Sequence, residues 1–177
     1  MNTFVCFLRG INVSGKNIIR MKEFKELLEE QGFSNVSTYI QSGNIILSSE
    51  LTQKQIEKDI KHIIEKAYGY VVPVQVYKKN EIKAIIDNNP FLKSDTFDPK
   101  SIYFVMCNQK LSDEQIMVIH ENKHATPKHI KWFKNTIYLY TNKGYSNNKI
   151  DNNLIEKKLN IQATARNLRT MLKMAEM

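Results

Sequence analysis

The chain lacks most of the features by which a sequence announces a reaction. Its 177 residues include two cysteines, Cys6 and Cys107, both within apolar runs and without CxxC spacing. Disulfide frameworks and cysteine-ligated metals need clustered or numerous cysteines, so two buried free thiols are expected and no metal site. No apolar run approaches the roughly 20 residues of a membrane helix, so no membrane partner is expected. The opening stretch Met1–Gly10 is too short, and too soon interrupted by Arg9, for a signal peptide, which makes cytoplasmic the expected localisation. No nucleophile, base and orienting group appear as a set, because Ser14 and Ser42 lack the strand–turn–helix setting of a nucleophile elbow. Catalytic residues are therefore unknown at this level, no cofactor is implied, and oligomeric state is not legible.

What is present suffices for a folded protein. With 42% hydrophobic residues, a chain of this length buries one core or two small associated ones. Lysine and arginine outnumber aspartate and glutamate by 26 to 18, and the net charge of +8 favours an anionic partner. Much of that excess is lysine spread along helices, as at Lys54, Lys58, Lys61 and Lys66, which is also the pattern of a solvated face.

Periodicity gives alternating elements. Thr3–Arg9 reads as a buried strand, and Met21, Phe24, Leu27 and Leu28 put an apolar stripe on a helix that Gly32 can end. Val36–Gln41 and Asn44–Ser48 read as a hairpin around Ser42-Gly43. Thr52 with Gln55 forms a capping box for a helix with Ile56, Ile60, Ile63, Ile64 and Ala67 on one face, and Val74–Tyr77 returns as a strand. This βαββαβ order is that of a ferredoxin-like unit. A helix over Asn80–Asp87 precedes a polar linker through Asp95–Lys100, where Pro90, Asp95, Asp98 and Pro99 mark a boundary. Beyond it come a strand (Ser101–Cys107), a helix capped by Ser112 and Gln115, a hairpin (Lys128–Lys134, Thr136–Thr141), a polar loop (Asn142–Asn148) and helices around Leu154–Leu159 and Ala165–Met174. The halves share element order without sequence repetition.

The densest chemistry lies in the loop Leu8-Arg9-Gly10-Ile11-Asn12-Val13-Ser14-Gly15-Lys16-Asn17, whose glycines, amides, hydroxyl and cations suit an anion cradle. Together with Tyr39-Ile40-Gln41-Ser42-Gly43-Asn44 and Ala163-Thr164-Ala165-Arg166-Asn167-Leu168-Arg169-Thr170, it resembles the three signature segments of bacterial domain-of-unknown-function family 1697. The resemblance runs from end to end. It departs at Ser14, Arg20 and Leu168, where glycine, proline and tryptophan are usual. It implies a two-part α+β protein of ferredoxin-like units and brings no established activity.

Two patterns in the chain are lookalikes. Gly10–Asn17 has the spacing of a phosphate-binding P-loop, but Asn17 stands where the magnesium-binding hydroxyl belongs and Ile18, Ile19 and Arg20 separate the loop from its helix. His120-Glu121-Asn122-Lys123-His124 spells HExxH at the end of a helix, with Pro127 three residues beyond and no third ligand apparent. The alternative for the loop itself is architectural, its glycines turning the chain and Asn12 and Asn17 satisfying backbone groups.

The C-terminal segment carries a different signal. With Thr164 as N-cap, Arg166, Arg169 and Lys173 share a helix face opposite Leu168, Met171 and Leu172. Arg166 would then lie in the first turn, where the helix dipole disfavours a cation, so a compensating anion is expected, from the protein or from a ligand. The hairpin Lys128–Lys134 mixes His129, Trp132 and Phe133 with lysines, a pattern that can stack bases but more often packs its rings under a helix.

The sequence therefore points to an α+β protein of two ferredoxin-like (βαββαβ-type) halves, residues 1–79 and 80–177, with the C-terminal helices packed across them as one compact unit. The expected function is binding of a small anionic ligand, phosphate- or carboxylate-bearing, by Arg9, Gly10, Asn12, Gly15, Lys16 and Asn17 of the first loop. Gln41, Ser42 and Asn44 of the hairpin turn and Arg166, Asn167 and Arg169 of the C-terminal segment complete the expected set. The alternatives are a nucleic-acid-binding surface, which is not favoured, and a partner-binding module without a ligand.

Overall fold

Five consecutive apolar residues, Phe4–Leu8, have the composition of a strand covered on both faces, and in β1 (Asn2–Leu8) each of them is buried. The computed structural model describes residues 1–141 and 144–177. The first two residues of the expected polar loop, Asn142 and Lys143, lie outside the described residues. After β1 come α1 (Met21–Glu30), β2 (Ser34–Tyr39), β3 (Asn44–Ser49), α2 (Gln53–Tyr68), β4 (Val74–Lys78) and α3 (Lys79–Asp87). Then follow β5 (Ile102–Cys107), α4 (Asp113–His120), β6 (Ile130–Phe133), β7 (Thr136–Tyr140), α5 (Asn152–Leu159), β8 (Ala163–Asn167) and α6 (Leu168–Glu176). The described residues thus form two four-stranded sheets, in the orders β2-β3-β1-β4 and β6-β7-β5-β8, with six α-helices. Every neighbouring pair of strands is antiparallel. The second sheet repeats the connectivity of the first. Among the described residues no helix is long and apolar enough to cross a membrane.

The chain divides into two compact units, Met1–Ile82 with Met174–Met177, and Lys83–Lys173. In the first, Phe4, Cys6 and Leu8 meet Phe24 and Leu28 of α1 and the four buried isoleucines of α2, Ile56, Ile60, Ile63 and Ile64. Burying those four side chains contributes at most about 6–12 kcal/mol before ordering costs. The capping box is formed as the sequence implies: Thr52 Oγ1 accepts from the Gln55 N–H, and Gln55 Oε1 accepts the Thr52 N–H at 2.9 Å. Gly69, at φ +71°, closes the other end of α2.

In the second unit, Val105, Cys107, Ile137 and Leu139 pack against Ile116 and Ile119 of α4 and Ile155 and Leu159 of α5. Ser112 and Gln115 form the second capping box. The expected linker is a folded part of this unit. Asn89 and Asp98 cap two short 3-10 turns, Pro90–Lys93 and Pro99–Ser101. Phe97 sets its ring 4.8 Å from both Phe91 and Tyr140. Those aromatic contacts outweigh the polar composition that suggested a linker.

The C-terminal segment also differs from expectation. Ala163–Asn167 is a strand rather than the start of a helix, pairing with β5 so that Thr164 faces Met106 and Arg166 faces Phe104. The helix begins at Leu168, and Asn167 Oδ1 accepts the Thr170 N–H at 2.8 Å, taking the capping role expected of Thr164. The ladder with β5 bonds alternate residues of this edge strand and covers its inward-facing side chains, which outweighs one additional helical turn. Arg166 is therefore not in the first turn of a helix, and the dipole argument for an anion beside it falls.

Candidate functional site

The first loop is built by backbone geometry that side chains then fix. Gly10, Asn12, Ser14, Gly15 and Asn17 all have positive φ, between +47° and +75°. Ser14 and Gly15, at +49° and +75°, are the central residues of a tight reversal in which the Lys16 N–H donates to Val13 O at 2.9 Å, as in a type I′ hairpin turn. One step further out, the Asn12 N–H donates to Asn17 O at 3.2 Å. The segment that mimics a P-loop is thus a miniature hairpin. It does not run into a helix, since α1 starts only at Met21 and its N-cap residue, Arg20, makes no side-chain cap.

Asn12 is the centre of the arrangement. Its Nδ2 donates to Ile19 O and to Gln41 O, both at 2.8 Å, while its Oδ1 accepts the Ile19 N–H at 2.9 Å. The side-chain amide therefore acts as a short piece of strand between two chain segments and has both donors engaged. Asn17 Nδ2 likewise donates to Gly10 O at 2.9 Å. Of the two roles weighed for these amides, the backbone-satisfying one is formed.

The hairpin turn after β2 docks on the same place. The Leu8 N–H donates to Gly43 O at 2.8 Å, and Gly43 approaches so closely that a Cβ on it would lie 2.6 Å from Leu8 Cβ. Asn44 is fully buried, its Nδ2 donating to Tyr39 O at 3.0 Å and Ser42 Oγ at 2.9 Å. Between them Ile40 is held at φ +50°, a left-handed conformation that costs a β-branched residue about 1–3 kcal/mol. Three hydrogen-bonding amides and one close glycine contact offset that strain. Arg9 is half-buried at the base of the loop, with its N–H on Pro73 O at 3.0 Å. Lys16 is exposed at the tip and makes no ion pair among the described residues.

The expected residues of the second unit are spread over different roles. Arg166 Nη1 donates to Thr164 Oγ1 at 2.9 Å and to Ala165 O at 2.8 Å. Burial lowers its pKa to about 10, partly opposed by the Tyr145 hydroxyl. Asn167 caps α6, and Arg169 is exposed in its first turn. At the HExxH lookalike, α4 ends on His120 with Glu121 as its C-cap, so the two histidines do not share a helical face. Instead the His120 ring stands edge-on to Trp132 at 6.1 Å. Among the described residues no three His, Cys, Asp or Glu side chains gather to hold a metal. Both cysteines are free and buried; burial pushes the Cys6 thiol far above its ordinary pKa, and pushes Cys107 up to about 12 with help from Glu156.

Two features of the site had no sequence signal strong enough to find them. The close approach of Gly43 to Leu8 depends on sheet register, and the strain at Ile40 on the docking of its turn.

The fold and loop together define a mixed α+β protein with two antiparallel sheets of one connectivity and a cationic mini-hairpin fixed to the end of its first strand. The chain belongs to DUF1697, a family of proteins of unknown function, whose family model matches residues 1–138. That span contains Leu8–Asn17 and Tyr39–Asn44, whereas Ala163–Thr170 lies beyond it. The structure is similar to that of a conserved bacterial protein from Streptococcus pneumoniae, with a TM-score of 0.75 and 22% identity, over 99% of this chain and 97% of that one. At this identity the likeness is one of fold. No curated protein matches the sequence.

Proposed function

We propose that this protein binds a small anionic ligand, and that the tip of the first loop in the first unit is the place where it docks. The observation that carries the reading is what the loop leaves unused. Asn12 and Asn17 fix its conformation, while the Lys16 ammonium is exposed and unpaired and the Ser14 and Gly15 N–H groups have no acceptor among the described residues. Donors held in place before a ligand arrives lose little freedom on binding it, and successive N–H groups in left-handed backbone form an anion-attracting concavity. Gly10 and Gly15 supply the backbone, Lys16 the charge, and Arg9 a second cation at the base. Gln41, Ser42 and Asn44 act through the loop's position in this reading.

Arg166, with Asn167 and Arg169, is a separate candidate contact in the second unit and is tested separately. We read each βαββαβ set, with its repeated strand order, as a ferredoxin-like half, and residues 79 and 80 as their boundary. Nucleic acid has less support, because Ile130 is buried and the Trp132 ring is engaged edge-on by His120.

The test is thermal unfolding in phosphate or sulfate against chloride at equal ionic strength, for wild type, Lys16→Gln and Arg166→Gln. An anion at ten times its dissociation constant stabilises by about 1.4 kcal/mol, or about 3–6 °C for a chain of this size. The loop site requires Lys16→Gln to lose most of that gain. Equal stabilisation of wild type and Lys16→Gln would refute it, and loss only in Arg166→Gln would move the site to the second unit.

A further inference from the structure

The net charge is divided very unevenly. Of the chain's +8, the stretch Lys83–Lys173 carries +7, with 15 lysines and arginines against 8 aspartates and glutamates. That unit contains a cavity of about 250 Å³ between the turn after α4, the end of β7 and the loop before α5. Among the described residues no carboxylate lines it. Its polar wall consists of Asn147, Asn148, whose amide bonds the Ile150 N–H and carbonyl, and six further residues, His124, Thr126, His129, Tyr140, Thr141 and Lys149. The side-chain polar atoms of these six residues make no hydrogen bond or ion pair among the described residues. Thr141, 8% exposed, lines the cavity from the end of β7. The floor is apolar, formed by buried Ile130, Leu139 and Ile150.

The wall is rich in donors. Lys149 brings three donors and no acceptor, each imidazole donates at least one N–H, and three hydroxyls can turn their hydrogens inward. The His129 ring is oriented by Tyr140, edge-on at 5.2 Å, and by Phe97 at 6.5 Å. Such a wall asks for a ligand with several acceptor oxygens and negative charge. A phosphoryl group, with three terminal oxygens in a tetrahedral array, can engage more of these donors than a planar carboxylate with two. The volume lies below the usual 300–1,000 Å³ of small-molecule sites, which limits the organic part to a few heavy atoms.

We infer that this cavity binds the phosphoryl group of a small phosphomonoester, with Lys149 supplying the fixed charge, His124 and His129 donating from two sides, and Thr141 donating from within. The inference does not depend on the first loop, which lies in the other unit.

The experiment follows the imidazole resonances of the full chain by NMR, and binding by calorimetry, with inorganic phosphate, glycerol 3-phosphate and acetate at equal ionic strength. Glycerol 3-phosphate is expected to move the His124 and His129 signals saturably while leaving His62 of the first unit in place. Lys149→Gln should weaken binding, read from the His124 and His129 signals, at least tenfold and Thr141→Val several-fold, whereas Lys131→Gln, at an exposed position of β6, should change it less than twofold. Unmoved His124 and His129 signals, or unaltered binding by Lys149→Gln, would overturn the site. Equal binding of acetate would overturn its phosphoryl character, phosphate binding as tightly as glycerol 3-phosphate would overturn the ester, and loss in Lys16→Gln alone would assign the binding to the first loop.

Discussion

Gly43→Ala is the sharpest perturbation of the loop–hairpin joint. The new Cβ would stand 2.6 Å from Leu8 Cβ and 3.0 Å from Ile11 Cδ1, on a residue whose φ is +73°. Left-handed backbone costs a non-glycine residue about 1–2 kcal/mol, and forcing a methyl group into a filled site adds about 1–3 kcal/mol. The sum, about 2–5 kcal/mol, has a natural control. Gly10, at φ +71°, has nothing within 4 Å of where its Cβ would stand, so Gly10→Ala carries the conformational cost without the collision. With a urea slope of about 1–3 kcal/mol per M, Gly43→Ala should lower the unfolding midpoint by about 1–2 M, and Gly10→Ala by less than half of that. The Leu8 amide, which donates to Gly43 O, should lose hydrogen-exchange protection only in Gly43→Ala. If the two variants are equally destabilised, the hairpin turn does not press on β1, and the account of why the loop and turn form one body is wrong.

Asn12→Ala removes three side-chain hydrogen bonds and leaves the Ile19 carbonyl and N–H without their partners, while water can replace the donor to the exposed Gln41 carbonyl, at a cost of about 2–4 kcal/mol by denaturant unfolding. Asn12→Asp should not recover it, because a carboxylate cannot donate to two carbonyls. The thiols of Cys6 and Cys107 disfavour the thiolate through burial, so an aromatic disulfide reagent at pH 8 should leave both unmodified in the native protein and titrate both after unfolding. Rapid native-state reaction of either would mean that its strand opens.

Local signals were the legible part. Both capping boxes, the buried first strand and the apolar faces of α1 and α2 depend on residues within a few positions of one another, and Thr52, Gln55, Ser112 and Gln115 behave as their spacing implies. Nonlocal pairing hid the rest. Ala163–Asn167 reads equally well as a helix start or a strand, and its partner β5 is more than fifty residues away. The cavity of the second unit draws His124, Tyr140 and Lys149 from three separate segments that the β6–β7 hairpin brings together. No spacing rule connects them.

The strings that look most like chemistry in this sequence are largely used as architecture. Asn12, Asn17, Asn44 and Asn167 all have amide groups bonded to backbone or to a neighbouring hydroxyl, and each fixes a place where the chain turns or an element begins. The departures from the family resemblance fit the same logic: Ser14 sits at φ +49°, where glycine is unstrained, and Arg20 at φ −75°, within reach of proline's fixed angle. Leu168 is buried at the first turn of α6, and nothing in the structure explains leucine in place of tryptophan there. A motif whose residues hold one another in place says where the protein must be rigid, and rigidity at Gly10–Asn17 has a consequence. In the anion-binding reading proposed above, it holds the Ser14 and Gly15 N–H groups in one arrangement beside Lys16, so that their position, rather than the identity of each polar side chain, carries the binding.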